Sequence, residues 1–166
     1  MKNRLVTTTD GEKLWHSRSV AVVSLVFKEI NNITHILCNK RGKGTPDFQG
    51  CWNVPCGYLD WNETGNEAAA REIKEETDYD IDPQLFTLCK VITDPTNDKR
   101  QNVTLRYIIT KLDSYNIKVK DHNIENLKGG EKDEVEAIKW ISIKDLDKYK
   151  WAFNHDKMIK EMYSII

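Results

Sequence analysis

An α/β sandwich in one domain is the fold class this sequence predicts, and three observations predict it. Apolar and β-branched runs of strand length recur at residues 18–27, 34–39, 85–92, 103–112 and 134–141. A stretch of strong helix formers, residues 64–77, interrupts them, and helix-like segments close the chain. The length of 166 residues is near the about 150 expected of one domain, so residues 1–166 are read as a single unit.

Taken in order, residues 18–27 and 34–39 read as paired strands joined by a polar hairpin turn at residues 29–32. Residues 41–47 carry Gly42, Gly44 and Pro46 and read as a loop, and Trp52, Asn53 and Val54 form a short strand stopped by Pro55. In the helix at 64–77, Ala69, Ile73 and Ala70 recur at helical spacing and face the core. Strands at 85–92 and 103–112 follow, joined by a turn-rich stretch at 94–98; residues 113–133 are polar, an extended loop or insertion. After a last strand at 134–141, residues 145–149 and 153–166 read as helices, the second with Met158, Ile159, Met162 and Ile166 on one stripe.

Composition removes several functions. With 25 Lys+Arg against 26 Asp+Glu the net charge is −1, without the basic excess of a general nucleic-acid binder. The longest apolar run, residues 20–27, is far short of the roughly 20 residues of a membrane span. The first 19 residues are polar and lack the apolar segment of a signal peptide, so the expected location is the cytoplasm. Cys38, Cys51, Cys56 and Cys89 form no C-x-x-C pair, and the runs around Cys38 and Cys89 suit small buried thiols. His16, His35, His122 and His155 share no ligand spacing and read as packing or surface residues.

Chemistry concentrates in residues 57–79. Glu72, Glu75 and Glu76 stand at i, i+3 and i+4 and therefore on one helical face. Like charges so spaced cost only about 0.2–0.5 kcal/mol per pair, so a solvated acidic face would form without any ligand. The preceding turn, from Trp52 through Pro55, Cys56 and Gly57, changes the reading. Carboxylates beside a turn that exposes backbone carbonyls suit Mg²⁺, a hard ion that takes oxygen ligands. Against the pattern G-x5-E-x7-R-E-U-x-E-E-x-G-U, with U apolar, the chain supplies Gly57, Glu63, Arg71, Glu72, Ile73, Glu75, Glu76 and Tyr79 in register. The segment closely resembles the Nudix box, and the chain is similar to Nudix hydrolases. Three positions depart from that pattern. Asp78 replaces the late Gly, Tyr79 replaces an aliphatic residue, and Cys56 replaces the first glycine of the family's Pro-Gly-Gly turn. Asp tolerates a left-handed backbone, so a reshaped helix end is expected and not a lost site. The Cys56 side chain could narrow the pocket.

The resemblance implies an α/β/α sandwich with a mixed sheet. It implies Mg²⁺-dependent hydrolysis of a diphosphate bond in a nucleoside diphosphate derivative, with Mn²⁺ as a substitute ion. Glu72, Glu75 and Glu76, with the Cys56 carbonyl, would hold the metal. Arg71 would orient Glu72 and pair with Glu63, a residue outside the metal's own ligands. A carboxylate before a late strand, Glu134 first and Glu131, Asp133 or Glu136 as rivals, would be a further ligand or general base. For a small nucleotide substrate, Phe48, Trp52, Tyr58 and Trp61 offer aromatic faces and Arg41 and Lys43 offer charge; Trp52 reads equally as core and the two cations equally as solvated loop. Trp151, Ala152, Phe153, Asn154 and His155 are similar to a Leu-Ala-Phe-Asp-His segment of ADP-ribose-processing and ADP-ribose-sensing Nudix proteins, which tilts the substrate toward ADP-ribose. The alternatives are a nucleoside triphosphate pyrophosphohydrolase and, in another class, a nucleotide or ADP-ribose sensor that binds without cutting. A messenger-RNA cap remover is disfavoured, since no basic patch awaits the RNA. Both monomer and homodimer fit the sequence.

Overall fold

Strand β3 (Val20–Ile30) is buried on both faces, and the layering of the protein follows from that. The computed structural model describes residues 2–96, 100–109 and 133–166. Along β3, Val22 and Val26 point to one core and Val23, Leu25 and Phe27 to the other. This is the period-2 alternation of a strand with a helical layer on each side. The first core takes Ala68, Ala69 and Ile73 from helix α1 (Gly65–Thr77), and the second takes Met158, Ile159 and Met162 from helix α2 (His155–Tyr163).

The remaining strands are β1 (Arg4–Thr7), β2 (Lys13–His16), β4 (Ile33–Arg41), β5 (Trp52–Asn53), β6 (Cys56–Tyr58), β7 (Thr87–Ile92), β8 (Val103–Ile109) and β9 (Val135–Ser142). Six of them join β3 in one seven-stranded sheet of order β5-β4-β3-β8-β7, with β6 added to β3 and β9 to β4. β3 and β8 run parallel from the Val20–Val103 pair to the Val26–Ile109 pair, and the other pairings are antiparallel, so the sheet is mixed. β3 divides one edge between two partners: Ala21 to Val23 pair with β6, whereas Phe27 to Ile30 pair with β4. That division brings the β5–β6 turn beside the start of the central strand, under α1.

The α/β sandwich is as expected, and several boundaries move. The hairpin turn narrows to Asn31 and Asn32, both with positive φ, which suits a two-residue turn between twisted strands. β1 and β2 form a separate two-stranded sheet within a segment too polar to be read as strands. β6 was expected as part of a turn. The residues expected as a helix at 145–149 form a 3-10 segment, Ile143–Lys148. α2 begins at His155, because Phe153 and Asn154 have left-handed backbone, and Ile166 is 57% exposed and off the buried stripe. Of the polar stretch 113–133, only Asp133 lies among the described residues.

Candidate active site

Helix α1 starts and stops where its sequence directs. Thr64 caps the N-terminus by accepting from the Glu67 N–H at 3.3 Å, and Glu67 Oε2 accepts from the Thr64 N–H at 2.7 Å, closing a capping box. At the other end Asp78 adopts φ 56° and ψ 13° and donates its N–H to the Lys74 carbonyl. Asp thus serves where glycine is usual, with the helix end intact. Tyr79 follows it inward, 1% exposed, and its hydroxyl accepts from Trp140 Nε1 at 2.8 Å. The two rings meet edge-on with centroids 5.8 Å apart. The aromatic replacement therefore joins α1 to β9 through a polar contact that an aliphatic side chain could not make.

Between these caps, one face of α1 meets the β5–β6 turn. Arg71 is the hub. Its Nε and Nη2 donate to the two oxygens of Glu63 at 3.0 and 2.9 Å. Its Nη1 donates to Glu72 Oε1 and Glu75 Oε2, both at 2.8 Å, and its Nη2 also reaches the Tyr58 carbonyl at 2.9 Å. Glu63 is fixed in turn by the Asp60 N–H at 2.7 Å. One guanidinium therefore neutralises parts of three carboxylates, and the bidentate pair with Glu63 sets its plane. Hydrogen bonds from Arg71 hold the Glu63 carboxyl below its usual range, and Glu63 foremost holds the Arg71 guanidinium above its own.

Glu72 and Glu76 point into the turn. Glu72 packs so closely on Gly57 that a Cβ there would lie 2.0 Å from Glu72 Oε1, so glycine is needed for the carboxylate to keep this position. Its side chain is 12% exposed, and burial, opposed by Arg71 and assisted by Glu75 and Glu63, pushes its carboxyl up to about 7. Glu76 is 7% exposed and its Oε2 accepts from the Cys56 N–H at 3.1 Å. The observed link from Cys56 to the acids is thus its N–H. The Cys56 side chain packs against the second core, with Sγ accepting from Asn53 Nδ2 at 3.5 Å. Burial first, and the Glu76 charge next, push its thiol up to about 12, so it carries no nucleophilic thiolate.

These groups suit a hard divalent cation. The donors are carboxylate oxygens, Gly57 leaves the cradle open, and a buried carboxyl with a raised pKa is one that a cation would ionise. Among the described residues no three Asp, Glu, His or Cys side chains stand as a preformed metal cage, and the cation lying between Glu72 and Glu75 is Arg71.

The other expected site residues divide. Arg41 is buried, donates to the Asp47 carbonyl at 3.0 Å and to Asp47 Oδ1 at 2.9 Å, and lies 5.0 Å over the Phe153 ring. Phe48 is exposed and meets Phe153 edge-on at 4.8 Å, while Arg100 joins the same group through Asp47 and the Phe153 face. Phe153 and Arg100 were not singled out as site residues; the Phe153 segment carried the only signal. Tyr58 and Trp61 are exposed, Trp61 at 83%. Trp52 packs with the second core, edge-on to Tyr149 at 5.5 Å, so its ring serves the core, the alternative its sequence left open. Lys43 is exposed, with its carbonyl accepting from Gln49 at 3.0 Å. Glu134 is exposed at the start of β9, and its contact is a carbonyl that accepts from the Gly42 N–H at 2.6 Å. Asp133 likewise offers its carbonyl to Gly44 at 2.7 Å, Glu136 pairs with Lys40 at 2.6 Å, and Glu131 lies outside the described residues.

A family model described as NUDIX domain matches residues 16–162. The chain belongs to the Nudix family. The Nudix assignment accords with the resemblance read from residues 57–79, and a curated relative extends it. An "ADP-ribose pyrophosphatase" of Methanocaldococcus jannaschii is 31% identical over 150 residues, covering 90% of this chain and 75% of the relative. Among solved structures, the NUDIX domain of Shewanella oneidensis NrtR complexed with ADP ribose superimposes with a TM-score of 0.72 at 18% identity, covering 90% of this chain and 89% of that one. A bifunctional NMN adenylyltransferase/ADP ribose pyrophosphatase of Francisella tularensis, complexed with AMP and a manganese ion, gives 0.63 at 20% identity, covering 90% of this Nudix chain and 42% of that one. At these identities the two structures speak for the shared fold, a mixed-sheet α/β sandwich.

Proposed function

We propose that this chain is a Mg²⁺-dependent Nudix pyrophosphohydrolase that cleaves the diphosphate of ADP-ribose or a closely related nucleotide sugar, with Mn²⁺ as a competent substitute. The observation that carries the reading is Glu72, Glu75 and Glu76 on one face of α1, with Glu72 and Glu76 packed against the Cys56–Gly57 backbone and Glu75 held by Arg71. The substrate class draws support from the 31% identity to a relative named for ADP-ribose hydrolysis.

Glu72, Glu75 and Glu76 would hold the divalent cation, which when bound supplies neutralisation of charge on the diphosphate oxygens. Arg71 holds Glu72 and Glu75 in place, Glu63 holds Arg71, and the Cys56 N–H holds Glu76. Exposed Phe48, Tyr58 and Trp61, with Arg41 behind Phe153, are the groups we assign to the nucleotide. We read residues 1–166 as one domain acting on a small nucleotide in the cytoplasm, a reading supported by four free cysteines and by the lack of any described helix long and apolar enough to cross a membrane.

The test is a panel of ADP-ribose, other nucleotide sugars, dinucleoside polyphosphates and nucleoside triphosphates, with products identified. ADP-ribose should yield AMP and ribose 5-phosphate, with no turnover in excess chelator. Glu76→Gln keeps an oxygen that can accept from the Cys56 N–H, so the variant should stay folded while kcat falls by about 100-fold or more. Preferential loss of triphosphates would transfer the assignment to a triphosphate pyrophosphohydrolase. Tight ADP-ribose binding without cleavage would make the protein a sensor.

A further inference from the structure

The β5–β6 turn is braced from three sides. β3 holds it through the Ser24 N–H, which donates to the Pro55 carbonyl at 2.9 Å, and α1 holds it through Glu76 and the Cys56 N–H. The third brace comes from the far end of the sequence. The Trp52 N–H donates to the Lys150 carbonyl at 2.8 Å, and the Ala152 N–H donates to the Trp52 carbonyl at 2.9 Å, a parallel bridge centred on Trp151. Were that ladder to continue, the next inward donor, the Val54 N–H, would meet the Ala152 carbonyl. That carbonyl is instead taken by the His155 N–H at 3.0 Å. The chain leaves the ladder because Phe153 and Asn154 both have φ of 55°, a region that asparagine tolerates and phenylalanine seldom adopts. Asn154 stands at the N-cap of α2 yet makes no side-chain cap bond. The consequence of this unusual double turn is that the buried His155 side chain arrives where the backbone acceptor would have been, and its Nδ1 accepts from the Val54 N–H at 3.2 Å. With Nδ1 as acceptor the ring proton is on Nε2.

We propose that His155 is a positioning residue of the hydrolysis: acting through the Val54 N–H, it fixes the Val54–Pro55–Cys56–Gly57 turn against which Glu72 and Glu76 are set. The inference rests on the proposed function for its kinetic consequence, and on geometry alone for its structural one. It goes beyond the Nudix box, since the residue lies 76 positions after Tyr79. The chemistry asked of position 155 is narrow: one uncharged acceptor, at the place of Nδ1, in a buried site.

Two substitutions separate that acceptor from mere filling of space. His155→Asn keeps an oxygen near the Nδ1 position, and His155→Leu keeps volume without an acceptor. Two readouts apply. Amide hydrogen exchange in metal-free protein should show the Val54 amide exchanging about tenfold faster in H155L, with Ile73 of the core unchanged and H155N near wild type. With ADP-ribose, H155L should lose about 10- to 100-fold in kcat with KM moved less than about twofold, and H155N should recover most of the loss. Equal behaviour of the two variants in kcat, or unaltered Val54 exchange in H155L, would overturn the proposal. Should H155L fail to fold, His155→Gln, whose polar group lies beyond the Nδ1 position, takes its place with the same expectations. The exchange experiment needs no turnover. A wild-type protein inactive on the whole panel would therefore count against the proposed function, while Val54 exchange would still decide the brace.

Discussion

Acidification should expose two buried groups that push stability in opposite directions. Burial first, then the Arg106 and Arg41 cations, drive His155 down from 6.5 to about 3. The unfolded chain takes up this proton below 6.5 and the folded protein does not until about 3, so the stability His155 allows is complete above 6.5 and lost on acidification. At pH 5 the loss is about 2 kcal/mol, a pH unit and a half below 6.5 at about 1.4 kcal/mol per unit. Glu72 has the reverse sign. Its carboxyl is raised from 4.5 to about 7, so between those values the folded protein keeps a proton the unfolded chain has released. Going from pH 8 to pH 5 therefore returns about 2.5 kcal/mol. The two contributions nearly cancel in metal-free wild type. In His155→Asn only the second remains, so acidification from pH 8 to 5 should stabilise that variant by about 2 kcal/mol more than it stabilises wild type. Titrations common to both proteins drop out of the difference. Urea unfolding followed by tryptophan fluorescence, in chelator at the two pH values, measures it. If both proteins shift in parallel to within about 0.5 kcal/mol, His155 is not held neutral by burial and the reasoning fails.

Two further substitutions probe the box itself. Gly57→Ala should leave the protein folded by circular dichroism but lower kcat by about 100-fold, since the new methyl group displaces the Glu72 carboxylate it would otherwise meet at 2.0 Å; a near-normal kcat would show that Glu72 need not occupy that position. Tyr79→Phe keeps the ring contact but strands the buried Trp140 indole N–H, so chemical unfolding should report a loss of about 1–3 kcal/mol. A loss within experimental error would mean the hydroxyl is dispensable.

How much of this was readable in advance depends on the range of the interactions involved. α1 was legible to within a residue because its signals are local: a threonine cap, a glutamate three residues later, alanine-rich propensity and an aspartate that can turn left-handed. The Nudix box was legible for the same reason, the spacing of Arg71, Glu72, Glu75 and Glu76 being that of one helical face. β3 announced its strand but not its two-sided burial, which depends on α2 arriving from more than a hundred residues away. β1 and β2 were missed because edge strands exposed on both faces need no apolar alternation. Trp52 could be core or site by composition, and Tyr149 decides it. His155 reads from sequence as a packing or surface residue, and packing is half of the answer. Its role as an acceptor depends on Val54, 101 positions away, and on two left-handed residues that no local rule assigns to phenylalanine.

The placement of charge explains why the site tolerates three departures from the family pattern. Of the four carboxylates Glu63, Glu72, Glu75 and Glu76, the first three accept from one guanidinium, Arg71, while the Asp60 N–H also donates to Glu63 and the Cys56 N–H donates to Glu76. Glu63 takes the bidentate pairing, which leaves Glu72 and Glu75 to share one nitrogen, Nη1. Burial, the larger effect, outweighs the Arg71 charge at Glu72, and its carboxyl is pushed up to about 7 although a cation touches it. An acidic face built only for solubility would turn outward and ionise freely. Here Glu72 is buried and shares a single guanidinium nitrogen with Glu75, and a hard divalent ion is a partner whose charge and oxygen preference suit it. None of the three replaced side chains bonds the four acids in the contacts above. Asp78 completes a helix end, Tyr79 joins β9, and the Cys56 side chain faces the second core while its backbone still meets Glu76. The acids we assign to the metal are all among the residues that match, and the departures fall where the backbone or the core absorbs them.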